Sequence, residues 1–185
     1  MLASASPRRL DLLKQIGVTP ERVQPADVDE RTRKGELPRP HALRLAEEKA
    51  RAISADGAIV LAADTVVACG RRILPKTEAE GEARDCLTLL SGRAHMVLTA
   101  VAVRRDERLW TRLSETRVTF KRLSEREIED YVAGGEWRGK AGGYAVQGMA
   151  ARFVRALSGS YSGVVGLPLY ETAHLLDAAG YRAAP

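Results

Sequence analysis

Cysteine is nearly absent from this chain. Cys69 and Cys86 are the only two, and neither lies in a metal-type spacing, which removes disulfide scaffolds and zinc modules and suits a reducing, cytoplasmic setting. Histidine is as scarce: His41, His95 and His174 lie far apart in unlike surroundings, so a histidine-based metal site is not expected. Aromatic residues make up 5% of the chain, and its formal net charge of +5 is scattered without a basic block. That pattern argues against a nucleic-acid track. No apolar stretch approaches membrane-spanning length, and Asp11 and Lys14 interrupt the first apolar residues too early for a secretory leader. Internal repeats, low-complexity tracts, Walker-type loops and dinucleotide fingerprints are all missing.

What is present suits a soluble core. With 185 residues and 45% hydrophobic content, one domain over residues 1–185 is expected, with room for two lobes around a central cleft. Ser6-Pro7 reads as a helix start, with Leu10, Leu13 and Ile16 on one face and Gly17 as the stop. A second helix is expected near 39–54, with Ala42, Leu45, Ala46 and Ala50 inward. A third runs from a capping box of Thr77 and Glu80 to Leu90, a fourth starts at Ser124 with Glu127, and a closing one spans Pro168 to Ala179. Strands are expected at 58–68, 95–104 and 113–121, with a hairpin turn at Gly70-Arg71. Interleaved strands and helices with at least one hairpin give an α/β (α+β) class with a mixed sheet. The glycines at 139, 142, 143 and 148, taken alone, read as an exposed loop.

Two places conflict with local rules. Arg8 and Arg9 fall in the first turn of a helix, where the backbone already carries partial positive charge and cations are misplaced by a few tenths of a kcal/mol each. An anion would reverse that penalty. Two serines, a helix N-terminus and two guanidiniums suit a multiply charged phosphate chain. The second conflict is Asp64, within the apolar run AIVLAADTVVA. Either the strand stops at Ala63 and Asp64 caps a turn, or a buried carboxylate there needs a cation or hydrogen bonds.

In order along the chain, LASASPRR, AEEKA, AADTVV, LPK, LSGRAHMVLTAV, ETRVTF, KAGGYAVQG and GSYSGVVGLPL resemble the motifs of the Maf family of nucleoside triphosphate pyrophosphatases. The resemblance covers nearly the whole chain. It implies a mixed twisted sheet flanked by helices, as in inosine triphosphate pyrophosphatases, and a homodimer. It also implies hydrolysis of nucleoside triphosphates to monophosphate and pyrophosphate with a divalent metal cation, Mg2+ or Mn2+, limiting the incorporation of unwanted nucleotides.

Carried over by position, the resemblance places Ser4, Arg8, Arg9, Lys49, Lys76 and Lys140 on the phosphates. Glu30 and Asp64 become the metal carboxylates, with Asp64 also the catalytic proton acceptor, and Arg8, Thr65 and Gln147 select the base. The ADT and YAVQG segments resemble the subfamily acting on dTTP and UTP. Gly139 stands where the family commonly has an acidic residue. Maf-like proteins are also associated with inhibiting septum formation, so the competing expectation is a nucleotide-sensing or nucleic-acid-binding regulator without catalysis. A regulator needs no carboxylate in an apolar strand, which favours the enzyme.

Overall fold

The computed structural model describes residues 1–55 and 57–182. Its centre is a five-stranded sheet in the order β2-β1-β4-β5-β7. The strands are β1 (Val60–Cys69), β2 (Arg72–Leu74), β4 (Ala94–Arg105), β5 (Arg108–Phe120) and β7 (Val154–Ser158). All neighbouring pairs are antiparallel. The parallel character comes from Leu2, which bridges Val23 and Leu61. A separate two-stranded ribbon joins β3 (Lys76–Thr77) to β6 (Lys140–Ala141).

Side chains alternate across β1, so each face of the sheet needs its own cover. Val60, Ala62, Val66 and Ala68 pack under helix α2 (Pro38–Ala52) through Ala42, Ala46 and Ala50. Small residues on both sides let the helix lie close to the sheet. The opposite face carries Leu61 and Ala63, covered by α1 (Pro7–Gln15) and α6 (Leu169–Ala178). Farther along that face, Val67 and Val97 join a cluster built on Phe120, Tyr131, Trp137 and Phe153 with α3 (Glu80–Leu90) and α4 (Glu125–Gly134). A short helix, α5 (Tyr161–Val165), precedes α6.

The α4 start follows the expected capping box: Ser124 Oγ accepts from the Glu127 amide at 3.3 Å and Glu127 accepts from the Ser124 amide at 3.1 Å. The α3 start does not. Thr77 lies in β3 instead, fully buried, and donates to the Trp137 carbonyl at 2.8 Å. The helix begins three residues later, where Glu82 accepts from the amides of Glu78 and Ala79. Strand β5 starts at Arg108, earlier than expected, because it pairs with β4 as far as Arg105↔Arg108, and the partial exposure and weak apolar alternation of its first residues hid that start from the sequence. Asp64 lies inside β1, so the strand does not end at Ala63.

Candidate active site

One edge of β1 pairs with β4 along nine residues. The other edge is shared: Leu2 pairs at Leu61, and β2 pairs only at Val67, Ala68 and Cys69. Between them, Ala63 to Val66 have no strand partner on that edge among the described residues. Leu61 exchanges backbone bonds with Met1 and Ala3. By alternation, the backbone groups of Ala63 and Thr65 point into the same gap. A cleft of about 430 Å³ opens there. The gap explains how side chains from opposite faces, Asp64 and Thr65, line one cavity.

Ser4, Arg8, Arg9, Glu30, Lys49, Asp64, Thr65, Lys76, Lys140 and Gln147 all line this cleft. Six cations face it, the five expected ones and Arg138, against the two carboxylates Glu30 and Asp64. The formal surplus of four positive charges matches the roughly four negative charges of a triphosphate.

Helix α1 supplies the first cations. Ser6 occupies the N-cap position, but its hydroxyl makes no capping bond. The buried Ser4 Oγ instead accepts from the Ser6 amide at 3.1 Å and from Arg9 Nη1 at 3.0 Å. Arg9 also donates through Nε to the Gly166 carbonyl at 2.8 Å, tying α1 to the turn after α5. Arg9 is therefore a fixed tether rather than a free cation at a helix end. Burial pulls both guanidiniums below their usual value, with Asp64 and Glu30 opposing the shift at Arg9; arginine stays charged regardless.

The carboxylates share one cation. Lys49 is buried among the alanines of α2, and its Nζ lies 2.7 Å from Asp64 Oδ1 and 2.5 Å from Glu30 Oε1. The second Glu30 oxygen accepts from Lys76. Glu30 thus links α2 to the β3 side of the cleft. Burial pushes the Glu30 carboxyl up, but hydrogen bonds from Lys49 and Lys76 outweigh this and hold it at about 2.

A carboxyl depressed on folding contributes stability above its ordinary value and loses it as pH falls towards the folded value. For Glu30 that window runs from 4.5 down to about 2. The side chain is 39% exposed, so the contribution is below about 1 kcal/mol. The melting temperature of Glu30→Gln is expected to fall less steeply with acid across this window than that of the parent chain. Parallel curves would contradict the pairing.

Lys140 is held from the other wall. Its Nζ donates to the Arg138 carbonyl at 2.9 Å, and burial, with Arg8 nearby, lowers its pKa. Gly139, at φ +65°, donates its amide to Thr77 at 2.9 Å, so the position expected to be acidic is a ribbon turn. The following glycines are not an exposed loop. A Cβ on Gly142 would come within 2.8 Å of Val67, and one on Gly143 within 3.3 Å of Ala83. Both have positive φ. They let the backbone press against β1 and α3.

At the Thr65 end of the cleft, Thr65 Oγ1 lies 3.1 Å from Thr99 Oγ1, which donates to the Gly163 carbonyl at 2.8 Å. Gln147 is exposed on the cleft wall. The sequence reading missed Arg138, Tyr144 and Gly166, all of which line the cavity. Tyr144 and Gly166 were signalled by their places in the KAGGYAVQG and GSYSGVVGLPL segments, whereas Arg138 lies two residues before the first of these and carried no such signal. Among the described residues no group of three or more His, Cys, Asp or Glu forms a metal centre, no helix is long and apolar enough to cross a membrane, and both cysteines are free.

A family model described as Maf-like protein matches residues 1–179. A dTTP/UTP pyrophosphatase of Caulobacter vibrioides is 64% identical over 185 residues, covering 98% of this chain and 96% of the relative. Proteins of the same name from Paramagnetospirillum magneticum and Cereibacter sphaeroides are 62% and 58% identical. The first alignment covers 98% of this chain and 97% of the relative, the second 100% and 98%.

Proposed function

The chain belongs to the Maf-like protein family, and from that premise we propose that its cleft hydrolyses dTTP and UTP to the nucleoside monophosphate and pyrophosphate. The observation that carries this reading is the convergence of six cations and two carboxylates on one gap in the sheet. Relatives named dTTP/UTP pyrophosphatase support the substrate.

Arg8, Arg9, Lys76, Lys140 and the Ser4 hydroxyl bind the phosphate chain, and the fixed guanidinium of Arg9 holds its charge where negative charge develops on the leaving pyrophosphate. Asp64 orients the attacking water and takes its proton, while Lys49 balances the carboxylate buried beside it. A hard divalent cation, Mg2+ or Mn2+, fits the oxygen donors of this site, and Glu30 and Asp64 would hold it. When bound, it neutralises phosphate charge. One domain, a homodimer and a cytoplasmic setting belong to the same proposal.

The decisive experiment is a panel of nucleoside triphosphates with Mg2+, scored for pyrophosphate against orthophosphate. Pyrophosphate from dTTP and UTP is expected, with CTP weaker; orthophosphate alone would overturn the reading. In oxygen-18 water the label is expected in the monophosphate, as attack at the α-phosphorus requires.

Gln147 offers an acceptor and donors that suit N3-H and O4 of uracil or thymine. In Gln147→Glu the O4 faces a negative charge, and kcat/KM for dTTP and UTP is expected to fall by roughly 10 to 100-fold. Unchanged kinetics with both pyrimidines would remove Gln147 from base selection.

A further inference from the structure

His95 lies on β4 with 2% of its surface exposed, and its Nε2 is 2.8 Å from the Tyr144 hydroxyl. The other ring nitrogen, Nδ1, is buried with no partner among the described residues. An orphaned buried polar atom costs free energy that an apolar side chain of similar size would avoid. Packing alone therefore does not account for a histidine here. The ring meets Phe120 and Tyr144 edge to face, at centroid distances of 5.0 and 5.4 Å.

Tyr144 is where this bond leads. Its neighbour, Ala145, donates its amide to the Tyr131 hydroxyl at 3.0 Å, and both Tyr144 and Ala145 line the cleft, two or three residues from Gln147. Gly142 and Gly143 press the start of the segment against Val67 and Ala83. Past Gln147, the Met149 amide donates to Glu136 at 2.8 Å. Among the described residues, the side chain of the segment whose polar atom is fixed from within the sheet is thus that of Tyr144, by His95.

We infer that His95 is a positioning residue for base selection, acting through Tyr144 to hold the 142–147 segment at the distance from the cleft that Gln147 requires. The inference rests on the nucleotide reading above. It concerns a residue that does not line the cavity. Burial lowers His95 to about 4, so the ring is neutral in neutral solution and keeps the single proton that one hydrogen bond to a phenol needs.

The test compares His95→Leu, Tyr144→Phe, the double variant and His95→Gln, whose terminal amide reaches the position of Nε2. Each of the first two is expected to lower the UTP-over-CTP ratio of kcat/KM by roughly tenfold, and the double variant no further, because both remove the same bond. His95→Gln is expected to recover most of the ratio. If the variants change UTP and CTP turnover in equal proportion, the role is structural and the inference fails. Tyr144→Phe adds no volume and guards against a misfolded His95→Leu. Amide hydrogen exchange supplies a readout without turnover: Ala145 to Gln147 are expected to exchange faster in Tyr144→Phe while β4 is unchanged. Equal exchange overturns the positioning role. Failure of the unsubstituted chain to release pyrophosphate from UTP or dTTP overturns the functional reading instead.

Discussion

Replacing Asp64 by asparagine is expected to lower turnover of dTTP and UTP by about 10² to 10⁴, the range associated with losing a general base, while circular dichroism stays native. The fold survives for a geometric reason. Lys49 remains 2.5 Å from Glu30, so the buried ammonium keeps an anionic partner, and an asparagine oxygen in place of Oδ1 can still accept from it. Volume and shape are unchanged inside a strand that places Ala63 and Thr65 on either side of it. What is lost, at a side chain facing the cleft, is basicity together with one of the two carboxylate charges that would hold the metal. Pyrophosphate release at high substrate concentration is the measurement, since binding to the arginines and lysines is left intact and the deficit should appear in kcat. Turnover close to that of the parent chain would make Asp64 a structural partner of Lys49.

Much of this arrangement was legible in the sequence because local rules were violated where the cleft opens. Two arginines in a first helical turn and a carboxylate in an apolar strand each demanded a partner. The structure supplies protein partners for both: Ser4 and Gly166 for Arg9, Lys49 for Asp64. The identity of those partners was hidden, since a lysine on an alanine-rich helix face gives no sign of what lies beneath it. The ribbon of β3 and β6 was illegible for a different reason. Two-residue strands carry no periodicity, and Thr77 with Glu80 imitates a capping box. The glycines misled because exposure and tight packing favour the same residue; only the approach of Val67 to Gly142 separates the two. The gap in the sheet, which sets where the cleft lies, is a property of pairing and has no sequence signature at all.

The largest effect on stability is expected from Lys49→Met. Lys49 and Asp64 are 6% and 2% exposed, so removing the ammonium leaves a carboxylate inside the core without its nearest counter-charge. Breaking a buried pair from one side costs about 3 to 5 kcal/mol. For a chain of this size each kcal/mol lowers the melting temperature by roughly 2 to 4 °C. A drop of about 6 to 20 °C follows from these two figures, far beyond the effect of changing an exposed lysine. Methionine keeps the length of the aliphatic stem, so lost packing against the sheet is a minor part of the deficit. The double variant Lys49→Met with Asp64→Asn removes both charges and is expected to recover most of the loss, a non-additivity that isolates the pair. Arg9 is the competing source of compensation, because its guanidinium also feels Asp64. If it sufficed, Lys49→Met would melt near the parent temperature and the double variant would gain nothing. A large loss in the single variant, reversed in the double, would instead assign the balance of the Asp64 charge to Lys49.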